Sequence, residues 1–307
     1  MRIIFVGTTG FGIPTLELLT THYQLLAVIT QPDRPVGRKK ILSSSPVKVW
    51  AQKNNVAIEQ PERIKELELR IKDLSPDLLL VAAYGQIIPR SILEIPKFGS
   101  VNIHASLLPK FRGATPIQEA ILKGETQTGI TIIKMDEKLD HGPIIAQQTL
   151  TINDSDNYSS LHDRLSQTAA KLVVNTLPDW FAQKINPTMQ DEAAATYSST
   201  GLLDYSLGRI DWTQNAEINN RKIRALNPEP GTWTTLDGIN VKILESDVVP
   251  DTRVELPGKI YIDGSKMLVK CADGSLWIKK IQPEGKKPMS GTDFINGLKK
   301  SENKIFV

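Results

Sequence analysis

The chain has 307 residues, a length that suits two domains, one of them large enough for a sizeable core. Its 40% hydrophobic and 23% charged residues are typical of an ordered globular protein and exclude a disordered chain. The single cysteine, Cys271, excludes an internal disulfide, and the lack of any close Cys/His cluster leaves no zinc signature. With no apolar run of membrane-spanning length, we expect a cytoplasmic protein that does not bind a membrane.

The first part of the chain alternates between apolar strands and helices. Strands are predicted over residues 2–6, 25–30, 77–83 and 100–104, with helices over 14–20, 62–74 and 115–123. A β-hairpin over 129–135 and 144–152 and a long helix over 157–180 follow. Near-continuous apolar strands that alternate with helices are typical of a parallel sheet covered on both faces. We therefore predict an α/β fold with a doubly wound, mostly parallel sheet over residues 1–189.

The last third of the chain has a different pattern. Residues 190–208 lack helical or strand periodicity, and we predict that they form a linker. Beyond a short helix over 215–226, strand-like pieces are broken by Asp-Gly pairs at 237–238, 263–264 and 273–274, which are hairpin signals. These features predict a small, OB-like β-barrel over residues 209–307.

Three glycines after the first strand resemble a dinucleotide-binding fingerprint but do not match it. Gly7, Gly10 and Gly12 have the order G-x-x-G-x-G, whereas the fingerprint is G-x-G-x-x-G. The second strand also ends in Thr30 and Gln31 rather than in an acidic residue. This pattern favours an ordinary strand-to-helix turn over nicotinamide binding.

Asn102 and His104 are the most informative polar residues of the chain. They lie two apart on a predicted strand, so their side chains leave the same face, at the carboxyl end where open α/β sheets bind ligands. Taken alone, the pair is more often a satisfied buried polar pair, and Asp140 alone is more often a turn residue. A loop with proline and glycine follows the strand at once, which is typical of a site wall. We predict that the three side chains share one site.

The run from Asn102 to Gln118, with Leu139-Asp140-x-Gly142, resembles the methionyl-tRNA formyltransferases. The similarity covers essentially the whole chain and includes the motifs at residues 31–38, 45–48, 83–89, 224–228 and 282–287. It implies transfer of a formyl group from 10-formyltetrahydrofolate to the amino group of methionyl-initiator tRNA, for initiation of translation, without a metal. The chain departs from the family pattern at two places. After the first strand it has Gly7-Thr8-Thr9-Gly10 where the family usually has Gly-Thr-Pro, and it has His141 where the family more often has Thr.

The resemblance implies a catalytic role for Asn102, His104 and Asp140. Asn102 and His104 would donate to the oxyanion of a tetrahedral intermediate, and Asp140 would accept the proton of the attacking amine. Whether Asp140 accepts it directly, through His104 or through water stays open. The folate is expected to lie along a loop and an apolar wall formed by Ser106, Leu107, Leu108 and Pro109, and by Tyr84, Gly85, Gln86, Ile87 and Ile88.

Basic residues concentrate in two regions, which favours a polyanionic partner. The first region holds Arg34, Arg38, Lys39, Lys40 and Lys48 against Asp33 alone. The resemblance implies that this loop enters the acceptor stem of the tRNA, with Arg38 as the best candidate for contact with the first base pair. A solvated loop is the alternative. In the second region, Lys286 and Lys287 belong to a basic barrel suited to phosphate contacts with a tRNA arm.

Other interpretations of the same residues remain open. A formyltransferase acting on a nucleotide sugar or glycinamide ribonucleotide would share the three catalytic residues but would not need the basic regions. A formyltetrahydrofolate hydrolase would use similar residues with water as the acceptor. A tRNA-binding protein without activity would not need an intact triad. We expect a monomer whose partners are initiator methionyl-tRNA and the folate.

Overall fold

The computed structural model describes residues 1–36, 41–298 and 304–307. The chain forms two compact units. The first contains Met1–Pro116, Gln127–Thr151 and His162–Ser198; the second contains Ile117–Thr126, Ile152–Leu161 and Ser199–Val307. Within the described ranges, no helix is both long enough and apolar enough to cross a membrane.

The first unit is built on a seven-stranded sheet. The strands of the whole unit are β1 (Arg2–Gly7), β2 (Gln24–Ile29), β3 (Arg34–Val36), β4 (Ile41–Ser43), β5 (Ile58–Glu59), β6 (Leu78–Ala82), β7 (Ser100–His104), β8 (Arg112–Gly113), β9 (Gln127–Lys134), β10 (Ile144–Thr151) and β11 (Tyr197–Ser198), of which β3 pairs with β4 and β8 with β11 in separate two-stranded sheets. The order of the large sheet is β10-β9-β7-β6-β1-β2-β5. In this order, β7, β6, β1, β2 and β5 pair in parallel with their neighbours, and β9 pairs antiparallel with both β7 and β10. The predicted mostly parallel sheet and its terminal hairpin are confirmed.

Helices flank these strands. The helices of the first unit are α1 (Ile13–His22), α2 (Pro46–Lys53), α3 (Glu68–Leu74) and α4 (Arg90–Leu93). Helix α5 (Pro116–Lys123) belongs to the second unit from Ile117 onward, and α6 (Tyr158–Phe181) belongs to the first unit from His162 onward. All five residues of β6 are buried, as expected for a central parallel strand covered on both faces. Helix α2 begins where Ser45 caps the amide of Lys48 and Pro46 occupies the first turn, because proline there gives up no helical hydrogen bond.

The second unit is an antiparallel barrel. It contains α7 (Ala216–Leu226), β12 (Thr232–Leu236), β13 (Ile239–Val249), β14 (Ile260–Asp263), β15 (Lys266–Lys270), β16 (Ser275–Pro283), β17 (Met289–Ser290) and α8 (Gly291–Asn296). The strand order is β12-β13-β16-β15-β14, with β17 added to β16. The three Asp-Gly pairs lie at the β12–β13, β14–β15 and β15–β16 connections.

The last residues of the chain close this barrel. Val307 exchanges backbone hydrogen bonds of 3.0 and 2.9 Å with Thr235 of β12, and Ile305 forms a bridge with Lys259 next to β14. The two edge strands are thereby joined through one short segment, and Phe306 fills the barrel core beside Trp212. The predicted small barrel is confirmed, although the sequence did not indicate its closure by the tail.

The predicted linker over 190–208 differs from the structure in its first half. Residues 190–198 belong to the first unit, where β11 pairs in parallel with β8 and Gln190 is buried. Residues 199–208 belong to the second unit. The first half packs through polar side chains and backbone hydrogen bonds rather than through an apolar face, so hydrophobic periodicity does not reveal it.

Candidate active site

Asn102 and His104 project from the same face at the carboxyl end of β7. In the sheet, Asn102 lies opposite Val81 of β6 and Ile133 of β9, and His104 lies opposite Thr131 of β9. This is the place where the parallel part of the sheet meets its antiparallel edge. His104 is almost fully buried, so its polar contacts are made with protein groups.

Asp140 lies in the connection between β9 and β10 and brings its carboxylate to these two residues. One oxygen, Oδ1, accepts a hydrogen bond of 3.1 Å from Asn102 Nδ2. The other, Oδ2, accepts a bond of 2.8 Å from the backbone N–H of Gly113 and lies 3.5 Å from His104 Nδ1. The amide, imidazole and carboxylate that the sequence predicts in one site are brought together.

The opposite nitrogen of His104 determines how the ring faces Asp140. Nε2 lies 2.9 Å from the carbonyl oxygen of Phe111. A carbonyl oxygen only accepts hydrogen bonds, so Nε2 carries a hydrogen and Nδ1 is the nitrogen turned toward the carboxylate. This arrangement places a proton acceptor, a ring that can exchange a proton with it and an amide donor within one hydrogen-bonded group.

The loop predicted to contact folate is tied to the sheet by two side chains that sequence reasoning missed. Thr131 Oγ1 donates to the Ser106 carbonyl at 2.6 Å and accepts from the Leu108 amide at 3.0 Å. Gln147 donates to the Leu108 carbonyl at 2.8 Å. The side chains of Ser106 and Leu108 are buried, which leaves those of Leu107 and Pro109 partly accessible. Only the alternation of Thr131 with apolar neighbours on β9 could have signalled this role.

The second predicted folate segment exposes only part of itself. Tyr84 and Ile88 are buried in an apolar cluster with residues of β1 and β6, and burial raises the pKa of Tyr84 to about 12. Gln86 accepts from the Ile64 amide, while Gly85 and Ile87 lie at the surface, Ile87 with 85% of its area exposed. Because the Tyr84 and Ile88 side chains are buried, they are not accessible to a ligand at the surface. The accessible groups of this segment are Ile87 and the backbone around it.

A second group of polar side chains lies next to Asp140, and sequence reasoning did not indicate it. The Arg112 side chain is 1% exposed and donates to both Gln190 and Glu192. His141 Nδ1 lies 2.6 Å from Asp136, and its Nε2 lies 3.4 Å from Glu192. Arg112 itself could have indicated this group. A buried guanidinium needs acceptors, and the sequence next to Arg112 does not contain them.

The structure describes four of the seven residues predicted to contact tRNA. Arg34 pairs with Glu62 at 2.6 Å on an exposed hairpin, and Lys48 pairs with Asp33 at 2.7 Å. Lys286 and Lys287 are exposed after β16. Arg38, Lys39 and Lys40 lie outside the described residues. Across the three described ranges, no group of three or more His, Cys, Asp or Glu residues could hold a metal ion.

A sheet of this topology, with an acid–base group at the carboxyl end of a central strand, is typical of an α/β enzyme whose substrates bind at that edge. The profile of the family described as "Formyl transferase" matches residues 1–177, and that of "Formyl transferase, C-terminal domain" matches residues 203–299. A crystal structure of an N-formyltransferase from Helicobacter canadensis, in complex with folinic acid and dTDP-3-aminofucose, superimposes with a TM-score of 0.69. It is 20% identical and covers 92% of this chain and 99% of that chain, which is a likeness of fold.

Similarity to individual curated proteins is much higher. The methionyl-tRNA formyltransferase of Listeria welshimeri is 43% identical over 308 residues, which span 99% of this chain and 97% of the relative. The methionyl-tRNA formyltransferase of Bacillus velezensis is 42% identical over 302 residues, which span 96% of this chain and 94% of the relative. The chain belongs to the methionyl-tRNA formyltransferase family.

Proposed function

We propose that this protein transfers the formyl group of 10-formyltetrahydrofolate to the amino group of methionine esterified to initiator tRNA, in the cytoplasm and as a monomer. One observation supports this function above the others. The Asp140 carboxylate is held between Asn102 and the Gly113 amide beside His104, on a chain similar to methionyl-tRNA formyltransferases along nearly its full length. The reaction needs a base for an amine and donors for a carbonyl oxygen, and this site contains both.

Each of the three side chains has a distinct role in this proposal. The amide of Asn102 has two hydrogens, of which Asp140 takes one and the other is left to polarise the formyl oxygen. Asp140 takes the proton that the amine loses when it attacks the formyl carbon. His104, with Nδ1 at 3.5 Å from Asp140, can take the proton from Asp140, and once Nδ1 carries this proton it can donate to the developing oxyanion. Loss of one oxyanion donor from a site typically slows such a reaction by about 10²–10³-fold.

The donor substrate is proposed to contact Leu107, Pro109 and Ile87. These side chains are the accessible apolar groups of the two predicted folate segments, and Ile87 is 85% exposed although it is a large apolar residue. The backbone of residues 85–88 supplies polar groups beside it. Ser106, Leu108, Tyr84 and Ile88 support this surface from inside the unit.

The tRNA is proposed to contact both units. In the first unit, Arg34 and Lys48 flank the basic loop whose remaining predicted contacts are Arg38, Lys39 and Lys40. In the second, proposed as the tRNA-binding domain over 209–307, Lys286 and Lys287 are exposed and able to contact phosphates. Such contacts supply affinity without reading sequence, so discrimination between tRNAs requires further groups.

One assay with several acceptors tests the function. Purified protein is given 10-formyltetrahydrofolate with methionyl-initiator tRNA, methionyl-elongator tRNA, an amino-sugar nucleotide, glycinamide ribonucleotide, or no acceptor. We expect formyl-methionyl-tRNA to form fastest with initiator tRNA and only traces of formate without an acceptor. Rapid formate release without an acceptor would instead indicate a hydrolase, and formylation of a small acceptor alone would indicate a different transferase.

A further inference from the structure

The carboxylate of Asp140 is held by Asn102 and Gly113, but its backbone is held from the opposite side by Gln190. The Nε2 atom of Gln190 donates to two carbonyl oxygens, that of Asp140 and that of Gly142, each at 2.8 Å. Gln190 is 8% exposed, and it comes from a segment fifty residues further along the chain. One buried amide therefore joins both ends of the turn that presents the carboxylate.

This turn needs external support. Asp140 has a φ of +47°, in the left-handed region that costs most residues other than glycine about 1 kcal/mol or more. At Gly142, a Cβ atom would lie 1.8 Å from the carbonyl oxygen of Lys134, so the backbone passes directly against β9. The turn is thus pressed against the sheet on one side and bonded to Gln190 on the other.

Arg112 determines which way the Gln190 amide points. Its Nε and Nη2 atoms donate to Gln190 Oε1 at 3.1 and 2.9 Å. A guanidinium is only a donor, so the oxygen of the amide must face Arg112 and the nitrogen must face the two carbonyl groups. Glu192 accepts from the same guanidinium at 2.6 and 3.1 Å and raises the pKa of Arg112, which keeps the charge in place.

We propose that Gln190 is a positioning residue for Asp140, with Arg112 fixing the orientation of its amide. Gln190 touches neither of the two substrates in this proposal; it holds the backbone so that the carboxylate remains aimed at Asn102 and His104. This inference rests on the proposed function, because Asp140 must be the base for its position to affect catalysis. Buried groups that orient a reactive side chain typically contribute about 10- to 100-fold to activity.

Two substitutions separate the two halves of the amide. In Gln190→Glu, oxygen atoms still accept from Arg112, but no hydrogen remains for the carbonyl groups of Asp140 and Gly142. In Gln190→Leu, both interactions are lost at similar volume. For both variants we expect kcat in the initiator-tRNA assay to fall about 10- to 100-fold, with KM for each substrate within about threefold of wild type. Gln148→Glu, on the exposed face of β10, is the matched control and should retain wild-type kcat.

A structural defect is distinguished by counting competent sites. The stoichiometry of folate-donor binding is measured by fluorescence titration, and kcat is divided by it, so that a poorly folded fraction is removed from the comparison. A loss of kcat per binding site in Gln190→Glu supports the proposal. Wild-type kcat per site in Gln190→Glu overturns it, whatever the fate of Gln190→Leu. Failure of the wild-type protein to formylate initiator tRNA would instead refute the proposed function.

Discussion

Replacing Gly113 with alanine is the sharpest single perturbation of the site. Gly113 supplies the backbone N–H that binds Asp140 Oδ2 at 2.8 Å, and it does so with a φ of +110°. A Cβ atom on this residue would stand 2.3 Å from the backbone carbonyl oxygen of Ser198 in β11. Ser198 is a strand residue, so the conflict cannot be relieved by rotating a flexible side chain.

The magnitude follows from these distances. Ordinary contact begins at 3.4 Å, so β8 and β11 must separate by about 1.1 Å to admit the methyl group. The backbone conformation adds about 1–3 kcal/mol of strain for a residue with a side chain. A shift of about 1 Å at Gly113 would break its bond to the carboxylate, worth about 1.5–3 kcal/mol, and misplacement of this size costs about 10²-fold in rate.

The assay is kcat for formylation of initiator tRNA, measured beside thermal unfolding. We expect Gly113→Ala to lower kcat by about 10²-fold and Tm by several degrees. The control is Gly238→Ala in the β12–β13 turn, where φ is +79° but no atom lies within 4 Å of the added Cβ. It should lower Tm slightly and leave kcat unchanged. If Gly113→Ala keeps wild-type kcat, the Gly113–Asp140 contact has no catalytic importance.

Three further predictions address the base, the tRNA contacts and stability. Asp140→Asn should lower kcat by about 10³-fold with little change in folate-donor affinity, since the amide keeps the shape but cannot accept a proton; near-wild-type turnover would remove Asp140 from the mechanism. Replacing both Lys286 and Lys287 with alanine should weaken tRNA binding and leave donor binding unchanged. The slope of the logarithm of the tRNA-binding constant against the logarithm of salt concentration should become shallower by about one to two, and an unaltered slope would exclude phosphate contacts by this pair. Burial would raise the pKa of Asp251, but hydrogen bonds from the Ser275 and Tyr261 hydroxyl groups and the Arg253 amide, together with the charge of Lys270, outweigh it and lower the pKa to about 2. Its carboxylate therefore stabilises the fold fully above about pH 4 and progressively less down to pH 2. Between pH 5 and pH 2.5, the free energy of unfolding should change less for Asp251→Asn than for the wild-type protein. Parallel pH curves for the two proteins would contradict this.

The sequence indicated that the three residues proposed to react share one site, but it did not indicate most of the residues that hold them. Asn102 and His104 are two apart on an apolar strand, and the period of a strand puts them on one face without further information. Asp140 needed the family resemblance, because a carboxylate in a turn is ordinary in any sequence. Gln190 could not be found, since it lies in a segment without periodicity and acts through a side-chain amide on backbone atoms. The predicted linker over 190–208 was inferred from the same lack of periodicity, and its first half belongs to the first unit.

The side chains of the two proposed folate segments differ in burial, which the sequence did not indicate. The pattern of residues 84–88 and 106–109 correctly marks two loops next to the sheet, but it does not say which side chains turn inward. Tyr84 and Leu108 are taken into the core because large apolar groups gain more from burial than from a place on the surface. Ile87 remains 85% exposed, which is common for a single apolar residue at a protein surface and leaves its side chain accessible to the proposed donor substrate.

The contacts of Asp140 also limit how the proton can move. Its two oxygens already accept hydrogen bonds from Asn102 and Gly113, but a carboxylate can accept about four. Room therefore remains for the N–H of an attacking amine while both anchors stay in place. His104 Nδ1, at 3.5 Å, is close enough to receive the proton afterwards with only a small movement. In the proposed mechanism, the resting hydrogen bonds thus hold Asp140 in position and leave lone pairs free to accept the proton of the amine.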